Sequence, residues 1–207
     1  ATLVGLSAFL RSRGYHVETW GLGQNTGFKL KFSHALEQKL RFMHHRHRRK
    51  VSLVGWSLGG IMARTITLHN PELVRQIITI GSPFTGNPYA TSIWKLYQRI
   101  SGVQFDSEAA RQEYLESATV PAVPSTAIYS KLDGITAWEN CVDPHDDATD
   151  NVEVYSSHMG LCVNPAVLWL IADRLAQPAG QWKPFEPTGA RRWFYRTHPA
   201  QPGAQPS

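Results

Sequence analysis

The stretch that decides the fold reads Val51-Ser52-Leu53-Val54-Gly55-Trp56-Ser57-Leu58-Gly59-Gly60-Ile61-Met62-Ala63. It begins with a brief apolar run typical of a strand and continues, from Gly59, into a helical pattern. Ser57 falls at the turn between them, and Gly55 and Gly59 would let the strand and helix approach without Cβ clashes. A bare Gly-x-Ser-x-Gly pattern is weak evidence, and the alternative is an ordinary glycine-rich turn. The strand-turn-helix setting nevertheless predicts that Ser57 is an exposed nucleophile.

Short apolar runs alternate with helical patterns along the rest of the chain. Continuous apolar strands separated by helices are typical of a parallel sheet covered on both faces. We therefore predict an α/β fold with a mostly parallel sheet and helices on both faces. The predicted strands are 15–20, 51–54, 77–80, 126–129 and 152–155, and the predicted helices are 1–13, one beginning at Ser33, 59–68 and 165–175.

The 207 residues favour a single domain. We predict an α/β domain over residues 1–176, after which the sheet is complete, and a proline-rich tail over 177–207 with a disordered end. Residues 84–125 interrupt the alternation and are predicted to form an inserted cap or lid. Its apolar side chains either cover the active site and bind acyl chains or simply pack on the sheet: Ile93, Trp94, Leu96, Tyr97 and Ile100.

A serine nucleophile needs a histidine base, and three histidines follow the Ser57 strand and any acid loop. His158 comes directly after the strand 152–155, so it should emerge at the same sheet edge as Ser57. His145 lies in an acidic loop and His198 in the proline-rich tail, where solvent exposure is the simpler interpretation. We predict that His158 is the base, the alternative being a packed histidine beside the core.

The base in turn needs a carboxylate to orient it. Asp133 follows the strand 126–129 and should also reach the carboxyl edge, which makes it the first candidate, with Asp143 next and an Asp-Gly turn as the structural alternative. Asp143 belongs to an acidic cluster with Asp146, Asp147 and Asp150 that is typical of a solvated loop.

The backbone N–H of Leu58, near the positive helix terminus, can point at an oxyanion.

The chain carries a formal net charge of +5. Its densest basic run, residues 44–50, follows an amphipathic stretch and precedes a strand, so it is interpreted as a solvated helix end, with an anionic lipid surface as the alternative. Nucleic acid is an unexpected partner, and no metal site is predicted because no acid or thiolate lies near these histidines. No apolar run approaches the roughly 20 residues that span a bilayer.

Taken together, these motifs resemble the lipase and esterase branch of the α/β-hydrolase superfamily. The resemblance rests on the segments 55–60, 81–84, 133–134 and 157–160, in that order. It implies hydrolysis of a small-molecule or lipid carboxylic ester through an acyl-enzyme, without metal or organic cofactor. Ser57 would attack, His158 would shuttle the proton, and Asp133 would hold the imidazole. A thioesterase or acyltransferase would share this triad, and a non-catalytic binding module on the same scaffold is the alternative from another class.

The sequence departs from the superfamily pattern at its beginning. Members usually begin with a further strand whose loop supplies a second oxyanion donor, and no such segment precedes the helix over residues 1–13. We expect a fold that lacks these N-terminal strands, through truncation or processing of a longer parent. One lost oxyanion donor typically costs about 10² to 10³ in rate.

The two cysteines, Cys141 and Cys162, follow the predicted acid and base. A disulfide between them would clamp the two loops, as in some lipases, and two buried thiols are the alternative. A cytoplasmic location is favoured for free thiols, and a secreted or periplasmic one if they are bridged.

Overall fold

The computed structural model describes residues 3–19, 30–86, 108–144 and 146–197. Its strands form one sheet in the order β1 (Val51–Trp56), β2 (Val74–Ile80), β3 (Ser125–Tyr129), β4 (Thr149–Glu153) and β5 (Arg196–Thr197). The first four are parallel and the last is antiparallel to its neighbour. This confirms the predicted fold class, because the sheet is mostly parallel and helices cover both of its faces. Among the described strands, β1 pairs with β2 alone.

The described helices are α1 (Val4–Ser12), α2 (Leu30–His47), α3 (Leu58–His69), α4 (Glu108–Ser117) and α5 (Pro165–Ala176). Leu6 of α1 and Leu170 of α5 pack with Ile78 of β2 in the largest apolar cluster. The neighbouring Ile77 points to the opposite face, where it packs with residues of α2 and α3. Successive strand residues are therefore buried on both faces, which is why these strands are continuously apolar rather than alternating.

The prediction that the sheet is complete by residue 176 is wrong. Beyond α5 the chain returns to the main core, where the buried rings of Phe185 and Tyr195 meet edge to face with centroids 4.9 Å apart. Next to Tyr195, β5 pairs with β4. The sequence analysis missed β5 because two residues are too few to show the alternation or apolar run of a strand. It missed the packing of Phe185 and Tyr195 because a proline-rich composition does not indicate which aromatic side chains are buried. Residues 201–207, predicted to be disordered, lie outside the described residues.

The strand predicted over residues 15–20 is also not found, because residues 15–19 have no regular secondary structure and Trp20 is outside the described ranges. Their carbonyl groups bind side chains instead of a neighbouring strand. Arg11 donates to the carbonyl oxygen of Val17 at 2.9 Å, and Lys39 donates to that of Thr19 at 2.6 Å. A β-forming composition does not produce a strand without a partner strand's backbone.

The basic run ends α2, as predicted, and its residues 45–50 are exposed. None of the helices in the described part of the chain has the length and apolar character needed to cross a membrane.

The predicted cap falls largely on residues 87–107, which lie outside the described residues together with all five of its predicted acyl-binding side chains. The polar stretch that follows is α4, and its Tyr114 packs in a cluster with Leu58 and Ile61 of α3. This end of the predicted insertion is therefore part of the body of the domain.

Candidate active site

Ser57 lies between β1 and α3 in a strained backbone conformation, with φ of 53° and ψ of −125°. Its N–H donates to the carbonyl oxygen of Ile80 at 2.8 Å, which extends the pairing of β1 with β2 through the turn. Positive φ at a non-glycine residue costs of the order of 1–3 kcal/mol and persists only where the surroundings impose it. The structure thus places Ser57 at the carboxyl edge of the sheet, on the sharp turn that the motif predicts. The expectation that this turn exposes the serine is wrong, because Ser57 is buried and only 2% exposed.

The glycines of this turn act differently from the prediction. A Cβ on Gly55 would collide with the backbone of Gly59 and Gly60, so this glycine is needed for the close approach. A Cβ on Gly59, in contrast, would meet nothing within 4 Å among the described residues. The close contact is made by Gly60, where a Cβ would collide with Ser82 after β2. The steric role assigned to Gly59 is therefore wrong, and Gly60 fulfils it.

Asp133 and His158 form a buried pair, with Asp133 Oδ2 lying 2.7 Å from His158 Nδ1. The backbone joins the same two residues, because the N–H of His158 donates to the carbonyl oxygen of Asp133 at 2.9 Å. Their loops follow β3 and β4, which are adjacent parallel strands, so both arrive at one edge.

The environment of Asp133 keeps it ionised. Burial acts to raise the pKa of this carboxyl, but hydrogen bonds from the His158 ring and from the N–H groups of Thr136 and Ile135 outweigh it and hold the pKa below its ordinary value. Oδ1 accepts the two N–H bonds, at 2.6 Å from Thr136 and 2.9 Å from Ile135. A carboxylate can only accept, so His158 carries a hydrogen on Nδ1 and its neutral form has a lone pair on Nε2.

Two residues to which the sequence analysis gave no role shape the surroundings of the histidine. The indole N–H of Trp56 donates to the carbonyl oxygen of His158 at 3.2 Å, and the centroids of the indole and imidazole rings lie 5.1 Å apart. Gly81, at the end of β2 with φ of 52°, leaves the space that the pair occupies, since a Cβ there would lie 3.2 Å from Asp133 Oδ2 and 3.3 Å from His158 Nδ1. The Gly-Ser-Pro segment after β2 was the signal for Gly81.

Two further polar atoms of the candidate site are buried and unpartnered. Ser57 Oγ and His158 Nε2 have no hydrogen-bond partner among the described residues, and each residue is 2% exposed. Leu58, the predicted oxyanion donor, is the first residue of α3, where backbone N–H groups have no acceptor within the helix. The site therefore joins a serine, a free imidazole nitrogen and a helix N-terminus at one edge of the sheet.

The second acid candidate, Asp143, lies in a different cluster. Its Oδ1 is 2.7 Å from Arg64 Nη1, both side chains are fully buried, and Oδ2 accepts from Ser125 at 2.8 Å. Arg64 also donates to the carbonyl oxygens of Ser117 and Thr119 around the end of α4. The expectation that this acidic cluster is solvated is wrong for Asp143, which links α3 to the loop after β3.

The other acid and histidine candidates have different surroundings. Asp150 is buried and accepts from the N–H of Phe185 at 2.6 Å, so it too is not in a solvated loop. Asp146 forms a turn by accepting from Ala148, and Asp147 is exposed. His145 and His198 lie outside the described residues.

The disulfide considered for Cys141 and Cys162 is absent, because both carry free, buried thiols. Cys141 Sγ donates to Thr136 Oγ1 at 3.6 Å or to the carbonyl oxygen of Ala137 at 3.5 Å, and burial raises the pKa of each thiol to about 12. The loops after β3 and β4 are held together by the Asp133 and His158 contacts instead.

Comparisons with known proteins agree with this fold. Residues 29–156 match the model of the family described as the PGAP1-like alpha/beta domain, whereas no curated protein matches. Similar solved structures include MGS-MChE2, an alpha/beta hydrolase enzyme from the metagenome of sediments from the lagoon of Mar Chica, Morocco. It is 16% identical, covers 83% of each chain and has a TM-score of 0.56.

Two further structures are similar. PytH_H230A is 17% identical over 86% of this chain and 93% of its own, with a TM-score of 0.56. A thioesterase domain from the curacin biosynthetic pathway is 13% identical over 73% of this chain and 75% of its own, with a TM-score of 0.51. At these identities the likeness shows the fold alone.

The chain has the fold of the α/β hydrolases, as the motifs predict. It belongs to the PGAP1-like alpha/beta domain family, whose model spans more than half of its length.

Proposed function

We propose that this protein is a serine hydrolase that cleaves carboxylic esters, as an esterase or lipase, through an acyl-enzyme intermediate. The observation that carries the proposal is the buried Asp133 and His158 pair, which leaves His158 Nε2 free at the edge where Ser57 sits in a strained turn. Acyl transfer requires a serine hydroxyl that can reach a histidine base whose tautomer is fixed by a buried carboxylate.

In the proposed reaction, Ser57 Oγ attacks the ester carbonyl carbon while His158 Nε2 takes the hydroxyl proton. Asp133 stabilises the imidazolium, and the N–H of Leu58 donates to the oxyanion of the tetrahedral intermediate. The intermediate collapses to the acyl-enzyme as His158 gives its proton to the departing alcohol. Water then repeats the sequence on the acyl-enzyme, releasing the carboxylic acid and restoring Ser57.

The substrate is proposed to be a small-molecule or lipid ester. The apolar cap residues between 93 and 100 are the predicted acyl-binding surface, and they remain a prediction. If they form a lid, hydrolysis should accelerate when a dissolved ester is replaced by an emulsified one. Equal rates on the two forms would count against a lid.

The test is labelling with a fluorophosphonate, followed by hydrolysis of p-nitrophenyl esters of graded chain length. We expect Ser57→Ala to abolish labelling and to lower kcat by a factor on the order of 10⁶. Ser12→Ala, at an exposed serine on α1, is the matched control and should behave as wild type.

Labelling that persists in Ser57→Ala would overturn the assignment of the nucleophile. A protein that neither labels nor hydrolyses any ester, yet binds one, would favour the binding-module alternative. Faster reaction with acyl thioesters, or transfer to added alcohols, would point instead to a thioesterase or an acyltransferase.

A further inference from the structure

Four large aromatic side chains lie exposed near the end of the chain's last parallel strand. Trp193 is 82% exposed and Phe194 60% exposed, and Tyr155 and Trp169 are each 47% exposed. Aromatic side chains of this size normally bury most of their surface, and a group of them on the outside marks an interaction site.

The sheet topology places this group at the same edge as the candidate active site. Because β5 is antiparallel to β4, with Arg196 opposite Glu153, the residues just before β5 lie beyond the carboxyl end of β4. The Tyr195 hydroxyl donates to the carbonyl oxygen of Ala166 at 2.9 Å, which ties the same segment to the first turn of α5. Tyr155 follows β4 in the loop that carries His158.

Arginine side chains lie over two of these rings. The guanidinium carbon of Arg191 is 4.3 Å from the ring centroid of Trp169, and that of Arg196 is 5.6 Å from the ring centroid of Tyr155. We call this surface the aromatic-arginine face, formed by Tyr155, Trp169, Arg191, Trp193, Phe194 and Arg196.

The face carries an excess of cations. Residues 155–172 contain no Asp, Glu, Lys or Arg, and residues 187–197 contain three arginines and no acid. Of the nearby carboxylates, Asp173 pairs with Arg174 at 2.6 Å and Glu153 with Lys131 at 3.4 Å, so the face is cationic and apolar together.

We propose that the aromatic-arginine face docks on an anionic phospholipid bilayer. Tryptophan and other aromatic rings favour the level of the lipid headgroups, where their apolar bodies leave water and their polar atoms stay hydrated. Arginines beside them can bind lipid phosphates. Docking would set the loop carrying His158 against the lipid surface, although the docking itself does not depend on catalysis at Ser57.

The basic end of α2 is the matched comparison within the same chain. It carries exposed cations from Arg46 to Lys50 and one exposed aromatic nearby, Phe42 at 58%. It thus offers charge without a group of exposed rings. If charge alone drives binding, removing cations from the end of α2 should weaken vesicle binding as much as removing them from the aromatic-arginine face.

The experiment is co-sedimentation of the protein with vesicles of phosphatidylcholine alone, or of phosphatidylcholine mixed with phosphatidylserine. We expect wild type and Ser57→Ala to bind the mixed vesicles equally, and to bind them more weakly as salt is raised. Trp193→Ala with Phe194→Ala should weaken binding at least tenfold, and each of Arg191→Gln and Arg196→Gln about fivefold. Phe42→Ala with Arg46→Gln should bind as wild type.

Circular dichroism and thermal unfolding identify any variant that fails to fold, and the exposure of the changed side chains makes folding the expected result. Loss of binding in folded Trp193→Ala with Phe194→Ala, but not in the α2 variant, supports the proposal. Binding equal to wild type in the folded face variants, equal losses at α2, or no preference for the anionic vesicles would each overturn it.

Discussion

Replacing Asp133 by Asn tests how the site fixes its base. In the structure Oδ1 accepts two backbone hydrogen bonds, at 2.9 and 2.6 Å, while Oδ2 faces His158 Nδ1 at 2.7 Å. In the variant the amide oxygen should keep the two backbone donors, so the amide nitrogen must occupy the position of Oδ2. Its N–H would then donate to Nδ1 and force the hydrogen of the imidazole onto Nε2.

A histidine with its hydrogen on Nε2 cannot accept the proton of Ser57. We therefore expect kcat for a p-nitrophenyl ester to fall about 10⁴-fold, the size of effect that a wrong tautomer produces in serine proteases. The rate of fluorophosphonate labelling should fall in parallel, because it uses the same base. Stopped-flow release of p-nitrophenol measures acylation directly.

The matched control is Asp146→Asn, at a turn remote from the pair, which should leave both rates unchanged. Circular dichroism checks that Asp133→Asn is folded, as expected when two of its three hydrogen bonds are kept. A folded Asp133→Asn enzyme within tenfold of the wild-type kcat would refute the argument that Asp133 sets the tautomer of His158.

Four further predictions concern stability and thiol chemistry. Because the pKa of Asp133 is lower in the folded protein than in the unfolded chain, its stabilising effect is present at neutral pH and is lost as the pH falls from about 4; acid unfolding followed by circular dichroism should show less loss of stability below pH 4 in Asp133→Asn than in wild type. Gly60→Ala should lower the free energy of unfolding by about 1–3 kcal/mol through its clash, whereas Gly59→Ala should be neutral or stabilising; equal losses in urea unfolding would contradict this. Arg64→Met should cost about 3–5 kcal/mol by leaving Asp143 buried and unpaired, with Arg64→Met plus Asp143→Leu less destabilised than the single variant. Both thiols should react with a disulfide reagent only on unfolding, since burial raises each pKa to about 12, and the protein mass should not change on reduction.

The sheet and the position of the candidate site residues at its edge could be predicted because each depends on local sequence. An apolar run followed by a turn identifies a parallel strand, and the chemistry-bearing residue directly after it must emerge at the carboxyl edge. Ser57, Asp133 and His158 all follow strands in this way. The structure brings Asp133 and His158 into contact and places Ser57 at the same edge.

The features that could not be predicted depend on partners distant in sequence. Gly60 is needed because Ser82 lies against it, and β5 follows a segment whose Phe185 and Tyr195 are buried in the main core. Arg64, a cation in a largely buried helix, was a visible signal of a buried ion pair, but its partner Asp143 lies in an acidic stretch that suggested solvent.

The way the site is assembled has a consequence for folding kinetics. Asp133 and His158 are 25 residues apart and are delivered by adjacent strands, whereas the contact between Trp56, next to Ser57, and His158 closes a loop of 102 residues. Loop-closure entropy makes the contact between Trp56 and His158 costlier by about 1 kcal/mol than the contact between Asp133 and His158. The contact between Trp56 and His158 also requires β2 to be in place between β1 and β3. We therefore expect the acid and base to pair early in folding and the nucleophile to join last, so hydrolytic activity would appear only when the whole sheet has formed.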